Sequence, residues 1–250
     1  MNRQTRAGSG FGFGVATLAV FAAPVRADEK GERILGEAFK KINEAQSMTA
    51  TLTQIVEGEG ISKRVIAKGT VSAMKPNLLM VRVTTQIEGS EKSEAVYAAT
   101  GKDYVWYDSA EKDENEEELY HKDKLAVNPT DFPGPWEGEI DAFFGGEKLL
   151  AKGKADYSGM DKVGDAACNI VKMTLPAKDK TAERVITYFV GQKDHLIHKT
   201  SWLISNQGAE ITESNLLTDI NFKATKKVED FQYTPPKGVK LKAPPREIIF

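Results

Sequence analysis

A single cysteine in 250 residues, Cys168, excludes an intramolecular disulfide, so this is not a small fold stapled by cross-links. Its expected role is that of a small buried apolar residue. Histidine is also scarce, at three. Two of them, His195 and His198, lie three apart in a strand-like segment, and such positions point to opposite faces of a strand. They cannot share one metal ion without distortion. The sequence has no G-x-S-x-G elbow, no P-loop and no H-E-x-x-H, so the common hydrolase, nucleotide and zinc-protease signatures are missing. The acidic block from Glu111 to Glu118 lacks the glycine that a calcium loop needs for its sharp turn, and reads as a solvated loop. Neither a cofactor nor a metal is expected.

Long apolar runs are missing too. The longest, Phe11 to Ala23, follows Arg3 and Arg6 and is too short and glycine-rich to span a bilayer comfortably. It ends at Val25-Arg26-Ala27. A basic start, a short apolar middle and small residues at the end describe a secretory signal peptide cleaved after Ala27. No cysteine stands at the expected cut, which excludes lipid modification there and leaves the mature protein free in the periplasm. Removing three arginines takes the net charge from −2 to about −5, which argues against nucleic acid as a partner. The remaining residues, 28–250, are expected to form one domain.

What is present is alternation. Met48, Ala50, Leu52 and Val56 share one face of a strand, as do Val65, Ala67, Val71 and Ala73, and then Leu79, Val81 and Val83. Lys75-Pro76-Asn77 is a tight reversal between the second and third of these. The opposite faces carry Ile66, Leu78, Met80 and Val105, so both faces of the sheet are expected to be partly covered. Glu94 to Ala99 and Asp103 to Asp108 form a hairpin around Thr100-Gly101-Lys102. Further strands are expected over 153–163, 167–175, 183–190, 195–204 and 210–222. Phe231 to Val239 reads as a final edge strand that stops at Pro235-Pro236. Two helices interrupt the pattern. Asp28 to Gln46 places Ile34, Leu35, Ala38, Phe39 and Ile42 on one face. Glu137 to Phe144 carries Ile140, Phe143 and Phe144 and should end at Gly145-Gly146. Asn128 to Trp136, with three prolines, is irregular.

Several of these stretches resemble the bacterial outer-membrane lipoprotein carrier family, the LolA-type periplasmic chaperones. Lys75-Pro76-Asn77-Leu78-Leu79 is similar to that family's basic-Pro-Asn turn. Gly101-Lys102-Asp103-Tyr104-Val105-Trp106-Tyr107 is similar to its Gly-Lys-x-x-Trp-x-Tyr strand. Phe231-x-Tyr-Thr-Pro-Pro-Lys-Gly-Val resembles its closing motif, and the opening helix with Thr49 to Gln54 resembles its start. The motifs fall in family order between residues 28 and 243.

The resemblance implies an incomplete antiparallel β-barrel, a mainly β half-barrel with helices as a lid over an apolar cavity that holds acyl chains. It implies lipoproteins or other lipids as cargo, an inner-membrane release complex and an outer-membrane receptor as partners, a monomer, and no catalysis. Leu79, Val81, Trp106, Phe143, Phe144 and Trp202 are the candidate cavity residues, although period two does not label the inner face of a strand. Lys75 stands where the family has a lid-holding arginine, and a lysine offers no planar fork of donors. Segment 86–92 looks like an insertion, and the second half of the chain resembles more distant periplasmic relatives. The alternative is a periplasmic sensor module of the same fold that binds lipid or an envelope-stress partner protein. Intact mass of the periplasmic protein should match residues 28–250 without added lipid; retention of Met1 to Ala27 would refute the expected cut.

Overall fold

The computed structural model describes residues 28–59, 61–125, 139–175, 184–206 and 209–242. The expected signal peptide and the proline-rich segment lie outside them. The fold is mainly β. Helix α1 (Glu29–Glu44) leads into a run of strands: β1 (Ser47–Gly58), β2 (Val65–Met74), β3 (Leu78–Ile87), β4 (Ser93–Thr100), β5 (Asp103–Lys112) and β6 (Glu118–Lys124). Helix α2 (Glu139–Leu150) separates these from β7 (Lys154–Val163), β8 (Ala166–Leu175), β9 (Arg184–Gly191), β10 (Ile197–Asn206) and β11 (Ala209–Asn221). A short 3-10 turn (Val228–Phe231) and β12 (Lys240–Lys242) follow.

All twelve strands belong to one sheet, in the order β12-β6-β5-β4-β3-β2-β1-β11-β10-β9-β8-β7. The join between the two halves is β1 against β11, which places Leu52 opposite Leu217 and Gln54 opposite Asn215. The first and last strands of the row do not pair, so the sheet is an open, curved half-barrel. Twelve strands without closure leave two edges, and each is managed. At one edge Asp28 caps α1, accepting from the Lys30 backbone N–H at 3.1 Å, and its second oxygen accepts from the Tyr157 N–H of β7 at 2.9 Å. At the other edge β12 pairs in parallel with β6.

The period-two reading of the first five strands holds. Leu52, Ala67, Val71, Ala73, Leu79, Val81 and Val83 lie in one buried cluster with α1, α2 and β7–β9. On the opposite face Leu78, Met80, Val96, Ala98, Val105 and Tyr107 form a second cluster with Phe231, flanked by Tyr233 and Val239. Both faces of this half of the sheet are therefore covered.

Two readings are corrected and one is extended. The tail from Phe231 to Val239 is not an edge strand. Phe231 closes the 3-10 turn, the residues after it cross the convex face, and strand pairing begins only at Lys240, past the prolines that cannot donate to a ladder. The helix carrying Ile140, Phe143 and Phe144 does break at Gly145 (φ −177°, ψ 24°), as expected, but a second helical segment follows the break and takes α2 on to Leu150. The acidic block is not one loop. Glu111 and Lys112 end β5, and Glu118 begins β6, a strand with no apolar alternation to announce it.

The C-terminal strap is held by charge. Lys242 donates to Glu111 at 2.8 Å, His121 lies 2.9 Å from the other Glu111 oxygen, and Lys240 pairs with Glu117. Burial alone would raise the Glu111 pKa, but the hydrogen bonds and charges of Lys242 and His121 outweigh it and lower it. A carboxylate lowered on folding stabilises the protein above its unfolded value, and that contribution is lost as pH falls through the folded value. Glu111→Gln is therefore expected to lower the urea midpoint at neutral pH, with the gap to the wild type closing in acid below the ordinary glutamate range.

Candidate functional site

The concave face is a trough with one closed end and one open end. Helix α1 fills the closed end. Leu35, Ala38 and Phe39 are fully buried, and the Phe39 ring meets Tyr188 of β9 edge-on at 5.8 Å. This close seating needs two glycines. A Cβ at Gly31 would stand 2.7 Å from the Ala155 carbonyl and the Tyr157 nitrogen of β7, and one at Gly146 would stand 2.9 Å from the Phe39 ring. Helix α2 lies on α1 and brings Ile140, Ala142 and Phe143 into the same cluster.

Polar contacts also tie the helices to the sheet. Lys75, in the β2–β3 turn, donates to the Asn43 carbonyl near the end of α1 at 2.5 Å, and its ammonium lies 5.0 Å from the Phe143 ring centre of α2. One side chain thus touches both helices. Lys41 of α1 donates to the Asp194 carbonyl at 2.6 Å. Glu37 pairs with His195 at 3.2 Å, and His198 pairs with Asp194 at 2.9 Å. His195 lies in the β9–β10 turn rather than in β10, so the two histidines serve separate carboxylates.

Burial fades along the strands towards the other end. On β3, Leu79 and Val81 are fully buried, Val83 is 6% exposed and Ile87 is 37% exposed. The same face of β1 passes from buried Met48, Ala50 and Leu52 to half-buried Gln54 and Val56. Here the lining turns polar and aromatic. Register places Tyr97 beside Trp106, and Trp106 beside His121. The rings of Tyr97 and Trp106 stack at 6.2 Å, and those of Trp106 and His121 at 4.5 Å. Across the trough Gln54 donates to Glu213 at 2.5 Å, and Trp202 is the cross-strand neighbour of Glu213.

The candidate cavity residues divide accordingly. Leu79 and Val81 of β3 and Phe143 of α2 have no exposed surface and lie in one buried cluster. Phe144 is half-buried at the margin, with its ring 4.9 Å from that of Phe143. Trp106 is half-buried on β5, level in register with Tyr97 and Val81, and Trp202 is buried on β10 beside Glu213. Sequence reasoning missed Tyr97, His121, Gln54 and Glu213. Their signal was available only as polar residues on the inner parity of strands whose inner face was not yet known.

No protein-family model matches the chain, and no curated protein matches it. Its likeness is to solved structures. LprF from Mycobacterium bovis is 12% identical with a TM-score of 0.46, over 78% of this chain and 95% of that one. A LolA superfamily protein from Nitrosomonas europaea is 8% identical with a TM-score of 0.34, over 81% of this chain and 97% of that one. MucB, crystallised elsewhere as the Pseudomonas aeruginosa MucA/MucB complex, is 12% identical with a TM-score of 0.41, over 82% of this chain and 63% of that one. Among the described residues no helix is long and apolar enough to cross a membrane.

The seating of α1 gives a directional test. In an open helix Gly→Ala stabilises by about 1 kcal/mol. At Gly31 the added carbon meets β7 backbone, so Gly31→Ala is expected to destabilise by roughly 1–3 kcal/mol in urea unfolding. A gain in stability would mean that α1 is not seated on β7.

Proposed function

We propose that this protein carries the acyl chains of lipoproteins or other lipids through the periplasm towards the outer membrane. The observation that carries the reading is the cover of the trough. An apolar concave face is filled by the side chains of two helices that pack on it and reach it through contacts such as those of Lys75 and Lys41. Such a filling is exchangeable. Each CH₂ taken out of water contributes about 0.8 kcal/mol, so an acyl chain gains by entering, while the helix side chains it displaces lose a similar kind of burial. The two nearly offset, which suits a carrier that must release what it binds.

Lys75 supports the same reading. It links the end of α1 to α2 from the strand turn, where a lid would need its latch. The proposal needs no catalytic group, and the reading is of a binding protein rather than an enzyme. The release complex, the receptor and the monomeric state remain part of this proposal.

Binding of a dansyl-labelled fatty acid, read beside urea unfolding, tests it. Phe144→Glu, at the margin, is expected to abolish binding with little change in midpoint. Phe143→Glu buries an unpaired charge and is expected to cost several kcal/mol, on the order of 3–5. Lys75→Arg should slow release, and Lys75→Leu should leave uptake intact but impair handover to an acceptor. A wild-type protein that binds no fatty acid would sink the carrier reading in favour of a module that binds a partner protein.

A further inference from the structure

The outer face of β3 changes character along its length. Leu78 and Met80 lie in one buried cluster with Phe231 of the tail, and Arg82 stands over the Tyr233 ring at 5.4 Å. The next two residues on that face, Thr84 and Gln86, are exposed. They form the middle of a groove of about 570 Å³. Lys68 of β2 lies opposite Thr84, and Ile66 lies opposite Gln86. Arg64, just ahead of β2, and Glu88 and Lys92, in the β3–β4 turn, complete the lining. Ala67 and Val83, of the other parity, belong to the inner cluster, so this groove is on the convex side of the sheet, behind the trough. Its volume is in the ordinary range for a small-molecule site.

The charges around it do not cancel. Arg64 pairs through Nε with Glu57 at 3.0 Å. Among the described residues the ammonium groups of Lys68 and Lys92 have no ion pair or hydrogen-bond partner, and Glu88, the one acid among these lining residues, takes neither of them. Three cations thus face one space that holds one acid, on a chain whose net charge is −2. Cations gathered around a concavity raise its potential and draw an anion into it. In the sheet order β4-β3-β2, Lys68 comes from one side of β3 and Lys92 from the other, with the Thr84 hydroxyl and the Gln86 amide between them. A carboxylate offers its oxygens in one plane. A phosphate offers them tetrahedrally, in all the directions from which these donors come.

We infer that this convex groove binds a phosphorylated polar group, with Lys68 and Lys92 holding the phosphate above Thr84 and Gln86. A free phosphate fills only a small part of the groove, so the ligand carries its phosphate on a sugar or a glycerol. That chemistry has two sources, a phosphosugar in solution and an anionic phospholipid head group at a membrane surface. The site lies on the opposite face from the trough and does not depend on the carrier reading.

Calorimetry with glucose 6-phosphate, glucuronate and glucose tests it, beside co-sedimentation with vesicles of phosphatidylglycerol or of phosphatidylcholine. Glucose 6-phosphate is expected to bind about tenfold more tightly than glucuronate, with glucose weakest. Lys68 and Lys92 are exposed, so Lys68→Gln and Lys92→Gln should keep the wild-type urea midpoint. Each should weaken phosphosugar binding about fivefold, and the double variant should abolish it. Lys172→Gln, at an exposed lysine on the other half of the sheet, should change nothing. Raising the salt concentration should weaken wild-type binding. Binding of the phosphosugar supports the inference with a soluble ligand. Retention on phosphatidylglycerol but not phosphatidylcholine vesicles, lost in the double variant, supports it with a head group. Equal binding of glucuronate or glucose overturns the phosphate assignment. Loss in Lys172→Gln as large as in Lys68→Gln, binding that survives the double variant, or no binding to either source overturns the site. Uptake of the dansyl-labelled fatty acid should be the same in the double variant and the wild type, and a wild type that takes up none would sink the carrier reading without touching this one.

Discussion

An apolar concave face that the sheet cannot close on itself is the constraint on which the rest of this structure depends. A closed barrel would bury its interior with its own strands. Here β7 and β12 end the row without meeting, and Leu79, Val81, Val171 and Ile186 must find cover elsewhere. Helix α1 supplies it, and α2 covers α1. Most features of the N-terminal region follow from this. Gly31 lets the helix reach the β7 backbone, Asp28 satisfies both the helix end and an edge N–H, and Lys75 and Lys41 bind carbonyls on either side of the closed end.

The convex side poses the converse problem. Leu78, Met80, Val105 and Tyr107 give β3 and β5 a second apolar face, and the C-terminal segment crosses it with Phe231 and Tyr233. The Tyr107 hydroxyl donates to Glu118 at 2.7 Å, and the Tyr107 and Tyr233 rings stand 6.4 Å apart. Arg82 lies over the Tyr233 ring at 5.4 Å. The tail therefore packs as a third layer on this half of the sheet.

Where local pattern and tertiary burial agree, the sequence was readable. Alternation at Met48–Leu52, Val65–Ala73 and Leu79–Val83 sorted these residues onto one face and the apolar residues between them onto the other, and only the fold shows that the first is the inner one. β6 was not readable. Of Glu118-Leu119-Tyr120-His121-Lys122-Asp123-Lys124 only Leu119 is buried, because this strand lies near the sheet edge and is held by ladder bonds and charge. At α2 the break at Gly145 is where the sequence placed it, and the segment beyond it keeps a glycine at 146 because a Cβ there would stand 2.9 Å from the Phe39 ring. Whether each candidate cavity residue lay under the helices or at the mouth depended on where α1 and α2 sit, which no local period encodes.

The unequal layering of the sheet has a mechanical consequence. From β3 to β5 the strands are laminated on both sides, by helices or rim contacts within and by the tail without. From β8 to β10 the outer surface has no such ply among the described residues, and Val185 and Leu203 stand 40% and 53% exposed there. A board of three plies resists bending far more than one of two. Any flexure that widened the trough would therefore fall on the β8–β10 side, with the β3–β5 side as the stiffer of the two.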